Sequence, residues 1–189
     1  MKAVLLALST LGLPAQPPAI QPPIPASTPG GLPCDAKDKL PLLLGAATPK
    51  AILAHRAIFR DNLGKVRLSA QLKARWKAVR QPVTLVAVFG SWCGDSHYQL
   101  PDLLALEADP NPFIEVHYLG VYRDKAIDPA AWPKGCAPQK VARVPTFYLF
   151  ATQPGGDQKW VGSVVENPPR SGQTMAEALA ELVELAAVP

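Results

Sequence analysis

The chain has 189 residues, 48% of them hydrophobic and 18% charged, which supports one packed domain and excludes wholesale disorder. A net charge of +4 is mild, and the basic residues (Lys37, Lys39, Lys73, Arg75, Lys77, Arg80) are dispersed without an aromatic platform, so nucleic acid is not an indicated partner. Three cysteines, Cys34, Cys93 and Cys136, are too few for a disulfide scaffold and fit no zinc-finger pairing; the odd count leaves at least one thiol without an intramolecular partner. No spacing in the chain calls for a metal or a cofactor.

Met1 and Lys2 precede an apolar run, Ala3 to Leu13, and then Pro14-Ala15-Gln16. This is the pattern of a signal peptide over residues 1–15, with the cut near Ala15 and Ala19 as the alternative, and it predicts export to the periplasm or the extracellular space. The run is too short for a stable membrane span. Cys34 lies well beyond it, behind Leu32-Pro33, which argues against a lipoprotein. From Pro14 to Pro33 eight of twenty residues are proline, so 16–33 reads as an extended linker and 34–189 as the folded domain.

Within that domain Thr48-Pro49 is an N-cap with proline at the first helical position, and the spacing predicts helix up to Gly64. A second helix is expected from Lys65 to Arg80, ended by Pro82. These helices make an extension over about 49–80, ahead of a core over about 81–189. Val83 to Phe89 is a continuous apolar, β-branched run, the signature of a central strand buried on both faces. Gly90 to Cys93 turns the chain and a helix follows from about Gly94 to Ala108. Strands are predicted over Phe113 to Val121, Thr146 to Phe150 and Trp160 to Val165, the last two as a hairpin. Thr174 and Glu177 form a capping box opening a last helix whose Leu179, Leu182, Val183 and Ala186 share a face.

The chemistry sits at Trp92-Cys93-Gly94-Asp95-Ser96, where a buried strand meets a helix. Unpaired backbone N–H groups and the positive end of the helix dipole favour thiolate over thiol there, and the thiolate is the nucleophile of disulfide exchange. Together with Pro101 in the helix and Val144-Pro145-Thr146 opening a strand, this motif resembles the thioredoxin superfamily, over roughly residues 81–188. The resemblance implies a thioredoxin-like α/β fold with a mixed sheet of about four strands flanked by helices. It also implies a cis Pro145 facing Cys93, and a peptide-binding rim of Trp92, Gly94, Val144, Pro145 and Thr146.

The departures from that family bear on function. Reducing members carry Cys-x-x-Cys; here Ser96 holds the second position, able to hydrogen-bond a thiolate but not to form a disulfide. Members usually carry a buried acid six positions before the nucleophile, where this chain has Ala87. Asp95 is the nearby carboxylate, suited either to the helix start or to proton transfer. His97 either supports the Cys93 thiolate from the next helical turn or faces solvent. Cys34 and Cys136 are candidates for a disulfide that ties down the N-terminal segment, or Cys136 resolves a mixed disulfide on Cys93. The catalytic candidates are thus Cys93, Ser96 and Asp95. The expected partners are a disulfide-bearing or glutathionylated protein and an external thiol reductant. The rival from another class is a redox-inactive peptide-binding module; a peroxide-reducing protein lacks the supporting threonine and arginine pattern.

Overall fold

The computed structural model describes residues 31–186; the predicted signal peptide, and the linker up to residue 30, lie outside them. The elements run β1 (Gly45–Ala47), α1 (Pro49–His55), α2 (Ala57–Leu63), α3 (Ala70–Ala78), β2 (Val83–Phe89), α4 (Gly94–Glu107), β3 (Ile114–Gly120), a 3-10 turn (Pro129–Ala131), β4 (Thr146–Thr152), β5 (Gln158–Val165) and α5 (Met175–Leu185). The sheet is mixed and five-stranded, in the order β1-β3-β2-β4-β5. β2 and β3 are parallel, while β4, β5 and β1 each run antiparallel to their neighbours.

β2 is central and wholly buried, as its apolar run predicts. Its alternation divides the core: Val83, Leu85, Ala87 and Phe89 face one layer, and Val86 and Val88 the other. The buried aliphatic, aromatic and methionine side chains of all five described α-helices belong to the first layer, among them Ile52, Phe59, Trp76, Leu103 and Leu179. Among the described residues no α-helix places a buried side chain in the second layer, which is closed by an irregular segment, with Trp132, Cys136 and Val144 packed with Tyr148 and Phe150. The two faces of the sheet are therefore covered by different means: helices on one, an irregular segment on the other.

Three expectations are corrected. The sheet has five strands because Gly45–Ala47, which lacks β-branched residues, pairs with Tyr118–Gly120 at the edge. The expected helix over 49–64 breaks at Arg56, which adopts extended φ/ψ. There the His55 Nε2 contacts the Pro41 carbonyl at 3.1 Å and the Arg56 guanidinium donates to the same oxygen at 3.0 Å, so the preceding segment imposes the break. The next helix starts not at Lys65 but after Ser69, whose hydroxyl accepts from the Leu72 N–H.

The capping box at α5 forms as expected: Thr174 Oγ1 accepts from Glu177 N–H at 3.2 Å and Glu177 Oε2 from Thr174 N–H at 2.9 Å. Asp102 of α4 takes the Ala176 N–H at 2.9 Å, leaving α5 partly capped from across the layer. Thr174→Ala is accordingly expected to cost about 1 kcal/mol, seen as a lower urea midpoint with an unchanged slope.

Candidate active site

Cys93 is the N-cap of α4, half-buried, with extended backbone and no side-chain cap of its own. It follows directly on the turn after β2: its N–H donates to Gly90 O at 2.9 Å, and His97 N–H donates back to Cys93 O at 3.1 Å. The sulfur therefore sits at the open end of the helix, beside N–H groups with no partner inside the helix. Across from it the Val144–Pro145 peptide is cis, and the Cys93 thiol donates to the Val144 carbonyl at 3.2 Å. β2 leads into the thiol and β4 starts from the cis proline, so the pairing of Val88 with Thr146 brings the two loops together.

The other motif residues separate into two kinds. Gly94 and Asp95 are exposed at the first turn of α4, where an acid suits the helix start. Ser96 is fully buried, and its hydroxyl accepts from the Gly90 N–H at 3.2 Å, closing the turn that carries the cysteine. Trp92 is half-buried and donates from Nε1 to Val121 O at 2.9 Å. Val144, Pro145 and Thr146 are all buried, and the Thr146 hydroxyl donates to Arg143 O at 2.7 Å. In this loop the Val144 carbonyl is directed at the sulfur, and the Pro145 carbonyl accepts from the Glu166 N–H at 2.7 Å.

His97 takes neither expected role. Its Nε2 lies 2.9 Å from the Ser91 carbonyl and its ring meets Phe59 edge-on at 5.1 Å. Burial pulls its pKa below the ordinary histidine value, against the Ser91 contact, so the neutral imidazole is favoured. It is part of the packing between α2 and α4, where Asn62 also donates to the His97 carbonyl at 2.9 Å.

The candidate disulfide is not formed; Cys34, Cys93 and Cys136 are all free thiols. The reason is placement. Cys136 sits beside Thr84 near the start of β2, while Asp35, next to Cys34, binds Arg123 just beyond the end of β3. β3 is parallel to β2, so the two cysteines lie toward opposite ends of the sheet. The same geometry separates Cys136 from Cys93: Thr84 to Phe89 alone spans about 17 Å at roughly 3.3 Å per residue. Burial pushes the Cys136 thiol up to about 11, with Glu115 adding to the rise and Thr84 opposing it. Cys136 is thus a core residue, remote from the site and poorly suited to resolve an adduct there.

Sequence reasoning missed the residues behind Trp92. The carboxylate of Asp35 is fully buried and takes two hydrogen bonds from Arg123, at 2.7 Å from Nε and 2.6 Å from Nη2. The guanidinium carbon lies 4.5 Å from the centre of a Trp92 ring. These partners are 88 residues apart, and neither belongs to a local motif, so no signal in the sequence pairs them. Among the described residues no group of three histidine, cysteine or acidic side chains is placed to hold a metal.

A mixed sheet in this order, a cysteine capping the helix after the central strand, and a cis proline facing it define a thioredoxin-like α/β fold. No family model matches the chain, and no curated protein matches it. Among solved structures, it is similar to an HIV epitope-scaffold at 18% identity and a TM-score of 0.49, covering 77% of this chain and 88% of that one. It is also similar to PA1234, a protein of unknown function from Pseudomonas aeruginosa, at 18% identity and a TM-score of 0.45, covering 75% and 85%. The fold class rests on the topology and the site, not on these likenesses.

Proposed function

We propose that this is an exported thiol–disulfide exchange protein of the thioredoxin superfamily that works with a single active-site thiol, Cys93. The observation that carries the reading is the position of the sulfur, at the N-cap of α4 and 3.2 Å from the carbonyl preceding cis Pro145. The Cys93 thiolate attacks one sulfur of a substrate disulfide, or of a glutathionylated cysteine, and forms a mixed disulfide while the other sulfur leaves as thiolate. Ser96 has no sulfur to complete an internal release. A second thiol, external or the substrate's own, attacks the mixed disulfide and frees Cys93. When a different thiol of the substrate attacks, the net change is isomerisation. When an external thiol attacks, it takes up the group released from Cys93 in a new disulfide, which is free glutathione disulfide where both are glutathione and otherwise a mixed disulfide on the substrate that a second external thiol reduces. Export is supported by the Met1 to Gln16 pattern, and among the described residues no helix is long and apolar enough to cross a membrane.

The test has two parts. Under limiting iodoacetamide at pH 7, peptide mapping is expected to find Cys93 alkylated first and Cys136 last, the latter protected by burial and its raised pKa. Wild type should then retain a disulfide-bearing protein as an adduct released by dithiothreitol, and Cys93→Ala should retain none. Equal retention by both would sink the exchange reading and favour a peptide-binding module.

A further inference from the structure

We propose that Asp35 and Arg123 are positioning residues for Cys93, acting through Trp92, so that the segment ahead of β1 sets the rate at the thiol. This rests on the reading of Cys93 as the reacting thiol.

The Asp35 carboxylate is fully buried although the side chain is charged, which is tolerated where both oxygens are paired. Arg123 supplies that pairing through a two-pronged contact, a geometry lysine cannot reproduce. The cation so held lies over the Trp92 ring at 4.5 Å. The indole is restrained elsewhere too. Its N–H is bonded to Val121 O, and the ring lies so close to Gly90 that a Cβ there would come within 2.7 Å of it. Trp92 is covalently next to Cys93, and the Cys93 N–H is bonded to Gly90 O, so ring and thiol share one short turn.

The same segment reaches the turn a second time, where the Leu43 N–H donates to Ser91 Oγ at 3.1 Å. It is internally braced by Asp35 N–H to Leu40 O at 2.8 Å and Leu42 N–H to Pro33 O at 2.7 Å. Two consecutive residues before the cysteine, Ser91 and Trp92, are therefore held by a strap from outside the core of the fold. Attack on a disulfide needs the sulfur aligned with the bond it breaks, and a displacement of about 1 Å costs an order of magnitude or more in rate.

The experiment is a double-mutant cycle on the full chain, reading the second-order rate of Cys93 with glutathione disulfide, with the adduct located by peptide mass. Arg123→Lys keeps the charge and loses the two-pronged contact; it is expected to slow Cys93 about tenfold. Trp92→Ala removes the group through which Arg123 acts, so in that background Arg123→Lys should change the rate by less than about twofold. Asp35→Glu serves the same comparison should Arg123→Lys not fold. A fast wild-type rate unchanged by Arg123→Lys, or multiplicative effects in the cycle, overturns the proposal while leaving Cys93 as the reacting thiol. A wild-type rate no faster than that of the urea-unfolded chain overturns both.

Discussion

Gly120→Ala is expected to destabilise the protein by about 3 kcal/mol or more, at the upper end of what overpacking costs. Gly120 ends β3, where the chain ahead of β1 crosses it, and a Cβ there would lie 2.1 Å from the Leu43 carbonyl oxygen and 2.9 Å from its carbon. The obstacle is backbone, so no rotamer change relieves it. Leu43 cannot simply withdraw, because its N–H is bonded to Ser91 and its neighbour Leu42 is buried in the core. Thermal unfolding should show a fall of roughly 6–12 °C for a domain of this size. Limited proteolysis should cut the segment before β1 sooner than in wild type, since lifting that segment is the cheapest relief. An unchanged melting temperature would show that the crossing is not as tight as described.

How much of this was legible in the sequence depended on the distance over which the determining contacts act. β2 is written in seven consecutive apolar or β-branched residues, and both of its faces are indeed buried. The start of α4, the hairpin of β4 and β5, and the box at Thr174 are set by neighbours within a few residues, and all appear close to where they were expected. The cis bond at Pro145 followed from the family resemblance and not from local chemistry. What escaped was imposed from afar. Nothing between His55 and Ala57 stops a helix; the Pro41 carbonyl does, by engaging His55 and Arg56 together. Gly45-Ala46-Ala47 has little strand propensity and becomes a strand only because Tyr118–Gly120 offers an edge. Element order could not show that the helices before β2 pack on the same face as α4 and α5. At the site, the cysteine and its turn were visible as a motif, whereas the orientation of His97 toward Ser91 was set by α2.

Asp35→Asn is expected to destabilise by about 2–3 kcal/mol at pH 7, and by less as the pH falls. This cost is below the usual loss for breaking a fully buried ion pair, because the Arg123 side chain is 33% exposed and recovers some solvation. The pH dependence follows from the hydrogen bonds. Those from Arg123 hold the Asp35 carboxyl well below the ordinary carboxylate range, with the Lys37 N–H helping and burial opposing. An unfolded aspartate titrates near 3.9. Between that value and the lower folded one, the unfolded chain takes up a proton that the folded chain does not, so the stability from this pair is complete above about pH 5 and drains away on acidification. Asparagine has no such titration. Urea midpoints of wild type and Asp35→Asn should therefore differ clearly at pH 7 and by distinctly less at about pH 3, with the gap still closing below that; a gap that stays constant or widens would refute the pairing as the cause. The carboxylate that titrates is bonded to the cation over Trp92, so acid would loosen the strap at the turn that carries Cys93, not at some remote edge of the domain.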